Sequence, residues 1–222
     1  LLLTNRPSTL LLASLGFTAA LILTILLAAA SNMTGMGWLR AGLQALPSLF
    51  ISVPVFWLGI MLIQIFSFQL GLVSVISPGP VEKLVLPVMT LAIPISAPLA
   101  QILMRNIDQV LTQPFVAVAR AKGASRSWVL WRHVARNALL PTLTIAGVLF
   151  GELLAGAVVT EAVFGLSGLG GLTYQAVGNH DTAVLQAIVV ISALAFVTIN
   201  LIVDLLYPVL DPRLGSKVGA TA

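Results

Sequence analysis

The stretch from residue 165 to 181 holds the side chains that could perform covalent chemistry. Gly165–Gly168 read GLSG, which matches the GxSG sequence of intramembrane serine proteases, and His180 follows as a potential base. Such a protease needs its serine at a helix start inside the membrane and its histidine on another helix, whereas both residues here fall in one predicted loop. His180 and Asp181 supply two metal ligands, and a site needs three or four. We therefore predict no catalytic residue, no metal site and no enzyme activity.

Two carboxylates, Glu152 and Asp204, lie inside long apolar segments. An ionisable side chain within a membrane is costly, so each is a functional candidate. Asp204 lies near one end of its segment, where we expect a structural pairing with an arginine. Glu152 lies deeper in its segment and is the stronger candidate for a functional contact.

The composition indicates the class of protein that positions these side chains. The 222 residues are 59% apolar and 8% charged, with a mean hydropathy of +1.06, whereas a soluble domain has roughly 25% charged residues. The chain contains no cysteine, which excludes disulfides, thiolate metal sites and a cysteine nucleophile. Its net charge of +4 is explained by basic loops on one membrane face, without nucleic acid. We predict an all-α, polytopic membrane protein that forms a single domain over residues 1–222.

Five membrane spans are predicted from the uncharged stretches, because a hydrocarbon core about 30 Å thick requires about 20 apolar residues. They are Leu10–Ala30, Leu43–Leu70, Leu84–Met104, Asn137–Val159 and Ala183–Tyr207. Positive residues are retained on the cytoplasmic side. This rule places the 31–42 loop, the 105–136 loop and the C-terminal tail in the cytoplasm, and leaves only Arg6 and Lys83 outside. The chain starts without Met and on the outer side, so we expect a first span to be missing.

A basic segment, Gln113–Arg136, separates the third and fourth spans. It carries five of the eleven Lys and Arg residues, namely Arg120, Lys122, Arg126, Arg132 and Arg136. A helix-forming insert of about 24 residues is longer than a connection between two spans needs. Two interpretations remain open at this point: an interfacial helix held by anionic lipid headgroups, or a docking helix for a cytoplasmic partner.

Local signals predict two short helices in the basic segment. Pro114 suits a first helical turn and Gly123 suits the left-handed residue that ends a helix, which places the first helix near residues 114–122. Ser125 can cap a second helix that presents Trp128 and Trp131. Aromatic and cationic side chains therefore share the surface of this segment.

The segment ARAKGAS followed by RHVARNALLP resembles the cytoplasmic EAA-type loop of ABC importer permeases of the dipeptide, oligopeptide and nickel class. The resemblance covers most of the chain after Pro47 and continues in family order and spacing. Its other fragments are SVPVFWLG (52–59), LVLPVMTLAIP (84–94), GAVVTEAVFGLSGLG (156–170) and NLIVDLLYPVLDPR (200–213). Three positions depart from the family pattern: Ala117 replaces an acidic residue, Ser167 stands where Pro is frequent, and Glu152 stands where a small or apolar residue is expected.

The resemblance implies the fold of a type I ABC importer transmembrane domain and a chain without chemistry of its own. The implied partners are a second homologous permease, two cytoplasmic ATPases that bind ATP and Mg²⁺, an extracytoplasmic substrate-binding protein and membrane lipid. It favours docking over lipid anchoring for the basic segment, whose helix would fit an ATPase groove and couple ATP-driven closure to movement of the spans. The residues implied in this coupling are Phe115, Val118, Ala119, Arg120, Lys122 and Gly123. The implied solutes are peptides, nickel chelates or glutathione.

Three residues are candidates for the solute pathway. Pro54 and Pro94 interrupt backbone hydrogen bonding in predicted spans, which is tolerated where protein or water satisfies the freed carbonyls. We hypothesise that Glu152 faces the pathway and contacts a cationic part of the solute. Gly147 and Gly151 form a GxxxG pair, for which close helix packing is the expected role.

The main alternative is an ATP-independent secondary transporter. It would account for the spans, the prolines and Glu152, but not for the long basic segment. The chain contains no GxxxxGK[ST] sequence, so ATP use would belong to partner chains.

Overall fold

The computed structural model describes residues 2–79 and 81–210, and the regular structure in these ranges is entirely helical. The helices of the first half are α1 (Leu2–Met33), α2 (Gly37–Ile51), α3 (Val55–Leu62, extended by a π-helix over Ile63–Gln69) and α4 (Glu82–Leu111). The basic segment forms α5 (Pro114–Ala121) and α6 (Arg126–Val129, extended by a π-helix over Leu130–Val134). The remaining helices are α7 (Ala135–Phe164), α8 (Leu169–Gly178) and α9 (Thr182–Leu210).

Four of these helices contain stretches long and apolar enough to cross a membrane: Thr9–Met33, Glu82–Leu111, Asn137–Phe164 and Thr182–Ile202. They correspond to four of the five predicted spans. The second predicted span, Leu43–Leu70, is not one continuous helix. It is divided into α2 and the α3 segment, which meet at an angle of 107°, so the described residues contain a fifth span only if this bent pair is counted as one.

The break follows from the residues between the two helices. Pro54 has no N–H to continue the hydrogen bonding of α2, and its extended backbone (φ −61°, ψ 135°) turns the chain before α3 begins. The final turn of α2 tightens instead, because Ser52 and Val53 donate to carbonyls three residues earlier. By contrast, α4 continues as one helix through Pro87, Pro94 and Pro98.

Helix α4 lies at the centre of the bundle, where it packs extensively against α1 and α7. These three helices form the main core, which includes Leu12, Leu91, Leu99, Phe150 and Leu153. A second core joins the ends of α1 and α4 to α5, α6 and the start of α7. We call this end of the bundle the basic end, and the end that carries α8 the α8 end.

Helix α2 is attached to α4 by an ion pair near the basic end. The Arg40 Nη2 atom lies 2.6 Å from Asp108 Oδ1, and the Gln44 amide donates to Asp108 Oδ2 at 3.5 Å. Both charged side chains are partly exposed, so the pair contributes little to stability, about 1 kcal/mol or less. It nevertheless orients α2, because it ties Arg40 to a fixed point on α4. The sequence predicts for Arg40 only a position in a cytoplasmic loop, whereas the structure gives it a specific partner.

The side chains of Arg136 and Asp204 and the chain beyond Leu210 lie outside the described residues. The pairing expected for Asp204 therefore stays a prediction. The same holds for the C-terminal tail with Arg213 and Lys217.

Helix α7 approaches α9 closely at Gly151, as the GxxxG pattern predicts. A Cβ atom at this position would overlap Cε2 of the Phe196 ring. We therefore expect Gly151→Ala to lower the thermal unfolding temperature of the purified protein by a few degrees, because overpacking costs about 1–3 kcal/mol. The double variant Gly151→Ala with Phe196→Leu should recover most of this loss, since the smaller side chain vacates the overlapping volume. An unchanged unfolding temperature in the single variant would contradict the predicted contact.

Candidate functional site

The basic segment folds as two short helices with a defined turn, as the sequence predicts. Helix α5 starts at Pro114 after an extended Gln113. It ends in a Schellman motif, in which Gly123 (φ +85°) donates to the Arg120 carbonyl at 2.9 Å and Ala124 donates to the Ala119 carbonyl at 3.2 Å. This motif reverses the chain sharply, because the left-handed conformation of Gly123 carries no Cβ penalty.

The second helix also begins as predicted. The Trp128 N–H donates to Ser125 Oγ at 3.3 Å, and the Val129 N–H donates to the Ser125 carbonyl at 3.0 Å. Trp128 and Trp131 are each about half exposed, whereas Val129 is fully buried. The helix therefore rests on the bundle through its aliphatic side chains and presents its aromatic ones outward.

One face of α5 packs on the bundle and the other is displayed. Val116 is buried in the core of the basic end, beside Met104 and Ile107 of α4. Phe115 and Val118 are exposed to 41% and 55%, although both are apolar. Two exposed apolar residues that border one cavity with the basic Lys122 have the character of a docking surface.

The displayed face borders a cavity of about 1030 Å³ between α5 and α6. Five of the six predicted coupling residues line it: Phe115, Val118, Ala119, Lys122 and Gly123. Arg120 is exposed on the same helix outside the cavity lining. The structure thus gathers five of the six predicted coupling residues on one side of the cavity, and Trp128 of α6 contributes to the opposite wall.

The basic end is mechanically continuous with the spans. Its core combines Ala28 of α1 and Leu103 of α4 with Leu130, Val134 and Ala138. The Asn106 amide of α4 donates to the Ala138 carbonyl of α7 at 3.3 Å. Because packed interiors resist compression, a displacement of α5 and α6 is passed on to α1, α4 and α7 together.

The three pathway candidates, distant in sequence, border one cavity of about 390 Å³ in the middle of the bundle. Pro54, Pro94 and Glu152 all contribute to its wall, together with Pro98 and Leu149. Glu152 is exposed in this single chain. Ionisable residues within spans are rare and almost always face protein or a water-filled cavity, and Glu152 borders this cavity.

Sequence reasoning missed a buried carboxylate at the α8 end. Glu161 is 1% exposed, and its Oε2 atom accepts the Gly170 N–H at 2.7 Å. Beside it, the Leu169 N–H donates to Thr9 Oγ1 of α1 at 2.9 Å. Glu161 therefore joins the start of α8 to the end of α7, next to a contact with α1. The sequence feature that could have indicated this contact is the density of glycines from Gly165 to Gly171, because glycines permit the backbone to approach a neighbouring group closely.

The residues that resemble a protease motif are not brought together. Ser167 precedes α8 and His180 follows it, so a helix about 15 Å long lies between them. A nucleophile and its base require hydrogen-bond distance. Within the described residues, no group of three or more His, Cys, Asp or Glu side chains is placed to hold a metal ion.

Comparison with known proteins places this arrangement in a family. Residues 11–216 match the family model described as binding-protein-dependent transport system inner membrane component. The Glutathione transport system permease protein GsiC of Escherichia coli (strain K12) and that of Salmonella choleraesuis (strain SC-B67) are each 39% identical over 167 residues. This alignment covers 75% of the present chain and 55% of each relative. The chain thus spans about half the length of the curated relatives it matches.

Solved structures with a similar fold are membrane transporters as well. A crystal structure of an amino acid ABC transporter superposes with a TM-score of 0.71 at 19% identity, over 93% of this chain and 92% of that chain. The MetNI methionine ABC transporter in an inward facing conformation gives 0.68 at 20% identity, over 91% and 90%. At this identity the likeness concerns the fold, which is that of a type I ABC importer transmembrane domain. The chain therefore belongs to the family of binding-protein-dependent transport system inner membrane components, and it is a multi-pass inner-membrane protein.

Proposed function

We propose that this chain is the transmembrane permease subunit of an ATP-driven ABC importer for peptides or related small solutes, such as glutathione or nickel chelates. It forms part of the translocation pathway and performs no covalent chemistry. ATP and Mg²⁺ are bound by two partner ATPases, and a second homologous permease completes the pathway. A substrate-binding protein delivers the solute from the extracytoplasmic side.

The observation that carries this proposal is the arrangement of α5. Its Val116 face is anchored in a core shared with α1, α4 and α7. Phe115, Val118 and Lys122 stand exposed around one cavity, and Arg120 is exposed on another side of the same helix. Recognition of a helix in a groove needs an apolar anchor with flanking charge. A partner that grips α5 would move three long helices at once, which is what coupling of ATP hydrolysis to transport requires.

The proposed orientation follows from charge. The basic end carries the 105–136 loop, and retention of positive residues on the inner face places this loop and the C-terminus in the cytoplasm. Helix α8 then lies on the outer side, where a binding protein would dock. Its exposed Tyr174 and Val177 supply an aromatic and an aliphatic contact on that face.

The proposed solute pathway passes the cavity lined by Pro54, Pro94 and Glu152. Support for this role comes from the position of a carboxylate in a mid-span cavity, where its charge would be costly without a function. Glutathione enters as a candidate solute because the relatives at 39% identity are glutathione permeases. The amine of glutathione or of a peptide is the cationic group that Glu152 would contact.

The coupling role can be tested by weakening the displayed face of α5. We expect Phe115→Ala combined with Arg120→Ala to remove the ATPase chains that co-purify with the full-length protein from its native membrane, as measured by quantitative mass spectrometry. The reason is the joint loss of an apolar anchor and of a flanking charge. The amount of second permease recovered should change little, since the Phe115 and Arg120 side chains are exposed and lie outside the stretches long and apolar enough to span a membrane.

A matched control is Ile76→Ala combined with Lys83→Ala. This pair also removes one exposed apolar and one basic side chain. Lys83 lies in the first turn of α4 and Ile76 in the segment before it, so both are remote from the basic end. It should leave ATPase recovery unchanged. Equal ATPase recovery from the α5 variant and the wild type would contradict the docking role, and ATP-independent uptake by the chain alone would replace the importer with a secondary transporter.

A further inference from the structure

Helices α4 and α7 leave a second cavity next to the one that holds Glu152. This cavity has a volume of about 540 Å³ and lies towards the basic end. Its wall includes Gln101, Arg105 and Asn106 of α4 and Pro141 and Thr144 of α7. The two cavities therefore share the same two helices as walls.

The lining positions show that both cavities lie along one continuous face. On α4 they include residues 94, 98, 101, 102 and 105, and on α7 they include residues 141, 144, 145, 149, 152 and 156. Steps of three or four residues keep to one side of an α-helix. The pairing of Pro94 with Gly156 at one end and of Arg105 with Pro141 at the other shows that the helices run antiparallel. We call the joint surface the α4–α7 groove.

The groove has opposite charges at its two ends. Among the residues that the structure describes, Glu152 is the one charged residue in the lining of the first cavity, and Arg105 is the one charged residue in the lining of the second. Both are exposed in this single chain. Within the part of the chain that the structure describes, the one ion pair joins Arg40 to Asp108. Neither Glu152 nor Arg105 therefore has an oppositely charged partner among the described residues.

The neutral groups around each charge have matching polarity. Pro94 and Pro98 lack the N–H groups that would bind the carbonyls of residues 90 and 94, which leaves carbonyl acceptors on the Glu152 side of α4. The other cavity is bordered by Gln101, Asn106 and Thr144. The Gln101 amide donates one N–H to Ser48 Oγ and the Asn106 amide donates one to the Ala138 carbonyl, which leaves each amide one further N–H beside the Thr144 hydroxyl. One end of the groove thus favours a cation and the other favours an anion.

The separation of the two charges defines the size of a matching solute. Pro98 lies at the level of Glu152, and seven residues separate it from Arg105, which corresponds to roughly 10 Å along the helix. An extended chain of three residues spans about 10 Å. Side chains tilt towards the N-terminus of their helix, so in this antiparallel pair Arg105 and Glu152 lean towards each other. The separation of their backbone levels, roughly 10 Å, is therefore an upper limit for the distance between the two charges of a matching solute.

We propose that the α4–α7 groove carries the solute and selects a zwitterion the size of a short peptide, with its ammonium group at Glu152 and its carboxylate at Arg105. This inference rests on the proposed import function and adds to it a class of solute and a second specificity residue. The partner permease would close the open side of the groove. Transport then requires only that the contacts of the solute with Glu152 and Arg105 be weak enough for the solute to leave the groove.

The chain's lack of cysteine permits a direct test with single-cysteine variants of the complete transporter in proteoliposomes. Leu149→Cys places a thiol in the cavity that Glu152 borders, and Thr144→Cys places one in the cavity that Arg105 borders. Val189→Cys is the control on the exposed face of α9. Each variant is labelled with a cationic methanethiosulfonate (trimethylammonium-ethyl) and an anionic one (sulfonato-ethyl). We expect about a tenfold preference for the cation at position 149 and for the anion at position 144, since a lined cleft concentrates ions of opposite sign.

Removal of each charge should abolish the corresponding preference. The cation preference at position 149 should disappear in the Glu152→Gln background, and the anion preference at position 144 should disappear in the Arg105→Gln background. Val189→Cys should label slowly and without dependence on either charge. Absence of labelling at positions 144 and 149, or preferences that survive removal of the charges, would overturn the inference.

The class of solute is tested with the same variants. Millimolar triglycine should slow labelling at both positions at least twofold. Acetyl-triglycine should lose this protection at position 149 and triglycine amide should lose it at position 144. Equal protection by all three compounds, or protection by none, would overturn the zwitterion assignment. Neither assay depends on ATP, so a transporter that passes them but shows no ATP-dependent uptake would instead refute the proposed import function.

Discussion

Replacement of Gly123 by valine is expected to uncouple ATP hydrolysis from solute uptake while the protein remains in the membrane. Gly123 adopts φ +85°, a left-handed conformation that costs other residues about 1–2 kcal/mol and a β-branched residue more. A Cβ atom here would meet no atom within 4 Å, so the effect arises from the backbone alone. Loss of the Schellman motif would redirect α5, and we expect uptake by the reconstituted importer to fall at least tenfold.

Asparagine at the same position is the matched control. It tolerates the left-handed region far better than valine and has a comparable size, so Gly123→Asn should retain most of the uptake. The measurement is ATP-dependent accumulation of solute together with ATPase activity in proteoliposomes. Normal coupled uptake by the Gly123→Val transporter would show that the turn does not position α5.

Replacement of Gly170 by alanine should strongly destabilise the α8 end. A Cβ atom at this position would overlap the Val158 carbonyl oxygen and lie 2.9 Å from Val158 Cα. Both are backbone atoms of α7 and cannot move as a side chain can, so α8 must shift. The shift would remove the hydrogen bond from the Gly170 N–H to Glu161 and leave a buried carboxylate without that donor.

The combined cost is overpacking of about 1–3 kcal/mol and a further 1–3 kcal/mol or more for the unsatisfied buried group. We therefore expect the thermal unfolding temperature of the purified transporter to fall by about 5 °C or more. The neighbouring Gly171→Ala is the control, because its Cβ atom would lie at an ordinary 3.5 Å from the Leu166 carbonyl. Equal unfolding temperatures for the two variants would refute the close contact at Gly170.

Local sequence signals are sufficient to predict the two short helices of the basic segment and the turn between them. Pro114, Gly123 and Ser125 act through their own backbone geometry or through partners within a few residues, so their effects do not depend on the rest of the fold. The bounds of α5 and the cap of α6 follow from them. The apolar periodicity of the long spans is equally local in origin, since it reflects the thickness of the hydrocarbon core.

The division of the second span was only partly predictable. The sequence indicates that Pro54 interrupts hydrogen bonding, but a proline by itself permits anything from a mild kink to a complete break. The bend of 107° is selected by the packing of α2 and α3 against α4. The ion pair between Arg40 and Asp108, 68 positions apart in the chain, is a consequence of that packing.

The sequence alone determined that this chain is a membrane protein with a displayed basic segment, because composition, span length and helix caps depend on residues close together in the chain. The tertiary structure decided which distant residues share a surface. It brought Pro54, Pro94 and Glu152 to one cavity, aligned Arg105 with them along the α4–α7 groove, and buried Glu161 against the start of α8. Such juxtapositions are set by how helices pack across the bundle, and no local pattern encodes the register between them.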